Sequence, residues 1–98
     1  MNTLIFLSEA IVELNEAVDY YESKKFGLGV RFREEINRLC EQVAIRPSHW
    51  HERKSGYRRA NCSGFPYYIG FYFRQSIVYI AAISHESRQP DYWIDRLP

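Results

Sequence analysis

The stretch YYIGFYFRQSIVYIAAIS, from Tyr67 to Ser84, changes the hydrophobic period of the chain and decides the fold class. In its first half, Tyr67, Ile69, Phe71 and Phe73 alternate with the residues between them, as side chains do along a β-strand. A polar turn at residues 74–76 follows, and the second half is an apolar run rich in β-branched residues. Such a run is typical of a central strand. The stretch therefore predicts two strands joined by a turn.

The residues before this stretch continue the strand pattern. YRRANC, from Tyr57 to Cys62, predicts another strand, and SGFP at residues 63–66 contains the residues that favour a turn. The three predicted strands follow one another with short connections, so we expect an antiparallel meander.

The first half of the chain shows helical periodicity. Apolar residues recur at spacings of three and four over residues 11–21 and again over residues 32–43. FGLG at residues 26–29 separates the two runs, and the second helix must end near Ile45 because the next residue precedes a proline. Two helices joined by a few residues that include glycine predict an antiparallel hairpin.

A short apolar segment, TLIFLS at Thr3–Ser8, predicts a first strand. Ser8 is a plausible N-cap for the first helix, with Glu9 suited to the positive end of the helix. The order of strand, helical hairpin and three-strand meander predicts an α+β fold, with the hairpin on one face of a mainly antiparallel sheet. At 98 residues, we expect a single domain over residues 1–98.

The bulk composition describes a chain that can fold around one core. It is 46% hydrophobic and 16% aromatic, which excludes the disordered class. No apolar run is long enough to span a bilayer, and MNTLIFLSEA lacks the basic start of a signal peptide. We therefore expect a cytoplasmic protein. The two cysteines, Cys40 and Cys62, are expected to be small buried hydrophobes.

The net charge of +1 conceals two segments of opposite sign. Residues 9–22 contain five acids and no base, which predicts a solvated helix face. Residues 46–59 contain five arginines and lysines and two histidines against a single acid, which makes them a candidate anion-binding patch. The overall pI of about 7.8 argues against a dedicated nucleic-acid-binding protein.

Three stretches in a fixed order cover nearly the whole chain: EAIVELNEAVDYYESKKFGLGVRF at 9–32, GYRRANCSGFPYYIGFYF at 56–73, and AISHESRQPDYWIDR at 82–96. Together they resemble the RelE/ParE superfamily of bacterial toxins, and more closely its ParE-like branch. The resemblance implies the same strand–hairpin–meander fold. It also implies the toxin half of a type II toxin–antitoxin pair of the plasmid-stabilisation kind, which arrests growth and is neutralised by a cognate antitoxin that wraps the toxin.

The cellular target differs within that superfamily. ParE-like members inhibit DNA gyrase by binding it, which is our first hypothesis for this chain. RelE-like members are endoribonucleases that cleave mRNA on the ribosome, which is the alternative. A third hypothesis is a degenerate, non-toxic module that only binds the antitoxin. Function must therefore be argued from the site rather than from the fold.

A metal-independent ribonuclease needs groups that transfer protons and cations that stabilise the charge on phosphorus. For that case the candidates are Glu52 or His85 for the protons, Arg59 and Arg88 for the phosphate, and Tyr92 for stacking on a base. The opposing interpretation is that the arginines are ordinary strand residues and that His85 caps the last strand. The sequence also holds a histidine pair, His49-x-His51, without a fixed third ligand, so no metal or cofactor is predicted.

Aromatic and basic residues near the C-terminus are also what protein interfaces favour. The sequence leaves open whether Tyr92 and Trp93 tie the chain end down or contact a partner. We expect an antitoxin with an acidic, leucine-containing segment to cover an aromatic surface at Tyr67, Tyr68, Phe71 and Tyr72 together with the basic run. His85 and Arg88 are expected to lie close to the strand at 57–62. The predicted partner-binding residues are Arg53, Lys54, Arg58, Arg59, His85, Arg88, Tyr92 and Trp93.

Overall fold

The computed structural model describes residues 2–53 and 56–96 of the chain. Along the chain these residues form the strand β1 (Thr3–Phe6), the helices α1 (Ser8–Lys24) and α2 (Leu28–Ile45), and the strands β2 (Tyr57–Asn61), β3 (Tyr67–Arg74) and β4 (Ile77–His85). Short 3-10 helices lie at Pro47–His49 and Ile94–Arg96. The predicted α+β fold, with its first strand, helical hairpin and three-strand meander, is confirmed.

The four strands form one sheet in the order β1-β4-β3-β2. Strands β2, β3 and β4 make the antiparallel meander, while β1 pairs with β4 in parallel, so β4 is a central strand as predicted. Gln75 and Ser76 join β3 to β4 and have φ values of 50° and 65°. A two-residue turn with positive φ at both positions matches the twist of the strands that it connects.

The helical hairpin covers one face of the sheet with apolar side chains. Phe32 and Ile36 of α2 are fully buried and belong to the same core cluster as Ile69, Phe71 and Ile80 of the sheet. The spacing of three and four that predicted α2 therefore identified its buried face. In α1 the buried residues are Ala10, Leu14 and Ala17.

The two helices approach closely where α2 begins. A Cβ atom on Gly29 would lie 2.5 Å from the backbone oxygen of Val18, so only glycine fits at this crossing. The carboxylate of Glu22 accepts hydrogen bonds from the backbone N–H groups of Gly27 and Gly29, at 2.8 and 2.9 Å. A side chain of α1 thus satisfies donors that the first turn of α2 leaves free.

The prediction that Ser8 caps α1 is wrong by one residue. The cap residue is Leu7, whose carbonyl accepts the first helical hydrogen bonds from Ala10 and Ile11. Leu7 also donates its own N–H to the carbonyl of Ile80, so strand pairing continues to the residue at which the helix starts. Ser8 lies inside the helix and donates its hydroxyl to Glu9 instead.

Candidate functional site

After β4 ends, the chain turns and crosses the face of the sheet opposite the helices. We call residues 86–96 the C-terminal clasp. Its centre is Trp93, which is fully buried, and a Cβ atom on Gly70 would lie 2.4 Å from the indole ring. The indole N–H donates to the hydroxyl of Tyr68 at 2.9 Å. Glycine in the middle of β3 therefore makes the space in which the clasp lies on the sheet.

Tyrosines of the sheet hold the clasp on either side of Trp93. The hydroxyl of Tyr57 donates to the carboxylate of Asp91 at 2.6 Å, and that of Tyr72 donates to the carbonyl of Ile94 at 2.8 Å. Both tyrosine rings also lie edge-on to the indole ring. A buried tyrosine needs a partner for its hydroxyl, and the clasp supplies it.

One carboxylate of α1 holds the far side of the clasp. Glu13, whose side chain is 10% exposed, accepts two hydrogen bonds from the guanidinium of Arg96, at 2.9 and 3.1 Å, and one from the hydroxyl of Tyr92, at 2.5 Å. It also accepts the backbone N–H of Ile83 at 3.1 Å and lies 3.5 Å from a guanidinium nitrogen of Arg88. We call these five residues the Glu13 cluster.

The Glu13 cluster exists because β1 is shorter than β4. Strand β1 pairs with β4 only as far as Ile80, and the register between β3 and β4 shifts next to Ala81. Beyond that point side chains take the place of a neighbouring strand. Glu13 accepts the N–H of Ile83, and Arg96 donates to the carbonyl of Ala81 at 3.0 Å. Backbone groups of an unpaired strand edge are thereby satisfied.

The cluster changes the acid–base properties of two of its members. Burial and the hydrogen bond to Glu13 raise the pKa of Tyr92 to about 12. The hydrogen bond to Glu13 raises the pKa of Arg96 above its usual value. Both groups therefore keep their protons in the folded protein, and the cluster is a structural ion pair with a tyrosine donor.

An open groove of about 220 Å³ lies between α1 and the end of β4, which we call the α1–β4 groove. It is lined by Glu13, Glu16, Ala17, Tyr20, Tyr67, Ile83, His85 and Arg88. The Nδ1 atom of His85 accepts the backbone N–H of Ser87 at 2.9 Å, which leaves Nε2 to carry the proton of the neutral ring. The groove combines two aromatic rings, a histidine and an arginine with two carboxylates.

The predicted catalytic residues do not form one site. Arg59 lies on the clasp face of the sheet, where its guanidinium stacks on the ring of Tyr68 at 3.8 Å. His85 points to the helix face, where its ring lies 5.1 Å from that of Tyr67. Glu52 is exposed and pairs with Arg58 at 3.1 Å. The prediction that His85 lies close to the strand at 57–62 is also wrong, because β3 runs between β4 and β2.

The structure brings the predicted residues Arg88 and Tyr92 into direct contact. The Arg88 guanidinium stacks on the Tyr92 ring at 3.9 Å, and both contact Glu13. Among the basic residues, Arg53 is exposed and donates its backbone N–H to Tyr57, while Arg58 also donates to the carbonyl of Pro47. Lys54, another predicted contact residue, lies outside the described residues.

Two predictions about partner contacts do not fit the burial of the residues. Trp93 is 0% exposed and ties the chain end down, so it is not available to a partner. The expected aromatic surface is wrong for Tyr68, Phe71 and Tyr72, which are all buried, while Tyr67 is half-buried and lines the α1–β4 groove. Both faces of β3 are covered, one by the helices and the other by the clasp, so alternation along this strand does not separate core from surface.

Glu13, Arg96 and Tyr20 are site residues that the sequence pattern did not predict. Glu13 was included in a run of acids expected to be solvated. A helical phase would have separated it from the others, because it lies three residues after Ala10 and four before Ala17, at the border of the buried stripe. No sequence signal marks Arg96 as its partner.

Within residues 2–53 and 56–96, no group of three histidine, cysteine, aspartate or glutamate side chains is placed to hold a metal ion. The helices of these ranges include none with the length and hydropathy needed to cross a membrane.

Comparison with known proteins assigns the family. The model of a family described as the ParE toxin of the type II toxin–antitoxin system parDE matches residues 4–90. A solved chain from the chromosomal ParDE toxin–antitoxin system of P. aeruginosa has the same fold, with a TM-score of 0.73 and 18% sequence identity, over 87% of this chain and 96% of that one. No curated protein sequence matches. The resemblance predicted from the sequence is confirmed, and the chain belongs to the ParE family of toxins from type II toxin–antitoxin systems.

Proposed function

We propose that this toxin inhibits DNA gyrase by binding it, without carrying out bond chemistry of its own. The observation that carries the proposal is the separation of the candidate catalytic groups. Arg59 lies on one face of the sheet and His85 on the other, and Glu52 is paired with Arg58 on the edge strand β2. One phosphate cannot contact all of these groups, whereas a ribonuclease needs its base, acid and cations around the same phosphorus.

The groove that does contain His85 also fits RNA poorly. Glu13 and Glu16 line it together with His85 and Arg88, and the guanidinium of Arg88 already lies over Tyr92 and beside Glu13. Carboxylates at this position repel a phosphate backbone, which RNA-binding sites normally meet with unpaired arginines and lysines. Groups of both signs beside the exposed ring of Tyr20 and the half-buried ring of Tyr67 are better suited to a protein surface.

We further propose a cognate antitoxin as the neutralising partner. Strand β2 is an edge strand of the sheet, so a segment of another chain can pair with it. The exposed Arg53 and the half-buried Arg59 lie at or next to that edge and favour an acidic segment. The apolar residues of such a segment would pack beside β2 rather than on the buried tyrosines of β3.

The gyrase proposal is tested by adding purified toxin to gyrase and relaxed plasmid. We expect supercoiling to fall with toxin concentration, while relaxation of the same plasmid by a type I topoisomerase stays unchanged. Normal supercoiling at saturating toxin would reject the proposal. If the same preparation still bound its antitoxin and did not arrest growth, the degenerate module would be the correct interpretation. New codon-positioned mRNA ends after induction would instead identify a ribonuclease.

The antitoxin contact is tested with Arg53→Glu, and Arg33→Glu on the exposed face of α2 is the matched control. Charge reversal at the edge of an interface lowers the association rate and its salt dependence. We expect a lower association rate with the antitoxin for Arg53→Glu and an unchanged rate for Arg33→Glu. Equal association rates for the two variants would place the antitoxin elsewhere.

Gyrase acts in the cytoplasm, so inhibition of gyrase would also assign the toxin's site of action to that compartment.

A further inference from the structure

The tip of the helical hairpin exposes a large apolar side chain. Phe26 lies between α1 and α2 and is 96% exposed. Among the described residues, the next most exposed large hydrophobic residue is Ile45, at 60%. Soluble proteins rarely leave a phenylalanine ring almost wholly in water without a use for it.

The backbone that carries Phe26 is held in one conformation. Gly27, the next residue, has a φ of 85°, which favours glycine, and its N–H is bound by the carboxylate of Glu22. The N–H of Leu28 donates to the carbonyl of Lys25 at 3.0 Å, and that of Lys25 donates to Tyr21 at 3.2 Å. A side chain displayed on an ordered turn loses little backbone freedom when it binds.

Three basic residues flank the tip, and the carboxylate of Glu22, which also lies there, is bound by the backbone N–H groups of Gly27 and Gly29. Lys24 and Lys25 precede Phe26, and Arg31 follows it in the first turns of α2. An open cavity of about 200 Å³ at this point is lined by Lys25, Phe26, Gly27, Leu28 and Arg31. Among residues 2–53 and 56–96, no carboxylate forms an ion pair with any of the three basic residues. The charge of the tip is therefore complementary to an acidic surface.

The tip is continuous with the α1–β4 groove. The ammonium group of Lys24 lies over the ring of Tyr20, 5.0 Å from its centre. Tyr20 is 54% exposed and lines the groove together with His85 and Arg88. One end of the molecule thus presents a phenylalanine, an exposed tyrosine and several cations on a connected surface.

We infer that Phe26 is the anchor by which the toxin binds its protein target. The ring enters an apolar pocket of the target, and acidic side chains at the rim of that pocket contact Lys24, Lys25 and Arg31. This inference rests on the proposed function, because it takes the toxin to act by binding a protein. It goes further in naming the contact residue and the chemistry of the complementary site.

An exposed aromatic anchor with basic neighbours is the kind of residue that dominates binding energy at protein interfaces. Phe26 contributes nothing to the core of the free toxin, so its substitution separates binding from folding. Fully burying a phenylalanine is worth enough free energy that its loss should weaken binding about tenfold or more.

The experiment compares Phe26→Ser with Ile45→Ser, which removes an exposed apolar side chain at the other end of α2. Four measurements are made on each: the toxin concentration that halves gyrase supercoiling, growth arrest on induction in cells, the circular dichroism spectrum and the affinity for the antitoxin. We expect Phe26→Ser to raise that concentration about tenfold or more and to relieve growth arrest, with unchanged circular dichroism and antitoxin affinity. Ile45→Ser should behave as the wild type.

The outcomes separate this inference from the gyrase proposal. If Phe26→Ser relieves growth arrest although the wild type does not inhibit gyrase, the anchor stands and the target is another protein. If Phe26→Ser inhibits and arrests as the wild type does, the inference is overturned. If Phe26→Ser lost antitoxin binding but still inhibited gyrase and arrested growth, the inference would also be overturned. The same holds if Phe26→Ser relieved growth arrest and also lost binding to phosphatidylglycerol vesicles, because the ring would then contact lipid rather than a protein. A wild type that neither inhibits gyrase nor arrests growth would overturn both proposals.

Discussion

The helical hairpin and the C-terminal clasp each cover one face of the same sheet, and they do so by different means. The hairpin uses two long helices whose apolar stripes form most of the core. The clasp has a fully buried indole ring at its centre, and hydroxyl, carboxylate and guanidinium groups hold the segment on either side of it. The stability of an apolar layer is spread over many contacts, so the loss of one contact has a small effect. The attachment of the clasp depends on a few specific hydrogen bonds and ion pairs.

Two glycines illustrate this difference. Gly29 lies where the two helices of the hairpin approach each other, and Gly70 lies where the clasp approaches the sheet. An added Cβ atom would lie 2.5 Å from the backbone of α1 at Gly29 and 2.4 Å from the ring of Trp93 at Gly70. The backbone of a packed helix cannot yield without moving the whole hairpin. An aromatic side chain on a short segment can move away together with that segment.

The largest effect is therefore expected from Gly29→Ala. The new methyl group should force α1 and α2 apart and disturb the bonds of Glu22 to the start of α2. We expect the free energy of unfolding to fall by about 3 kcal/mol, the upper part of the range for overpacking. Urea denaturation followed by circular dichroism measures it, with Val30→Ala on the exposed side of the same helix as the control. A smaller loss in the free energy of unfolding for Gly29→Ala than for Val30→Ala would show that the two helices can move apart with little loss of stability.

Gly70→Ala should cost less, about 2 kcal/mol, since the clasp can lift from the sheet to relieve the contact. The fluorescence of Trp93 should shift to longer wavelength as its ring meets water, while the helical signal stays constant. The change should be smaller in a background that carries Trp93→Leu, because the clashing ring is then absent. Equal costs in both backgrounds would mean that the methyl group disturbs the strand itself.

Glu13→Gln tests the hydrogen bonds and ion pairs by which the Glu13 cluster holds the clasp. The amide can still accept hydrogen bonds, but it no longer balances the charges of Arg96 and Arg88. We expect a loss of about 1–2 kcal/mol, as for a partly buried charged group deprived of its partner. Glu16→Gln, on an exposed position of the same helix, should change stability by less than about 0.5 kcal/mol. Thermal unfolding of the two variants side by side is the measurement.

The smallest effect concerns pH. The pKa of Tyr92 is raised to about 12, so the folded protein keeps this proton at pH values where the unfolded chain, with its usual tyrosine pKa of about 10, releases it. The associated stabilisation is complete below about pH 10 and is lost as the pH rises toward 12. Tyr92→Phe should therefore reduce the fall in stability over that interval. An equal fall in stability over that interval for Tyr92→Phe and for the wild type would remove Tyr92 from this role.

The elements predicted correctly from the sequence are those with a periodic pattern of apolar residues. The end and the buried face of α2, the hairpin and the three strands of the meander follow from local signals, although α2 begins at Leu28, inside the FGLG segment that was expected to separate the helices. Prediction from the sequence failed where one residue meets another far along the chain. Glu13 and Arg96 are 83 residues apart, and the sequence around either residue contains no signal that predicts their contact. The burial of Tyr68 and Tyr72 depends in the same way on Trp93, which covers a strand face that the pattern alone left open.

The parallel pairing of β1 with β4 also determines when the fold can form. The partners of β1 begin at Ile77, so the first strand has nothing to pair with until most of the chain has been synthesised. The helical hairpin is built from nearby residues and can form early, whereas contacts of long sequence separation form slowly. We therefore expect a nascent toxin to carry an ordered hairpin, with Phe26 already displayed, before its sheet exists. The sheet would form once β4 is available to pair with β1, and the last step of folding would be the closing of residues 86–96 over the sheet.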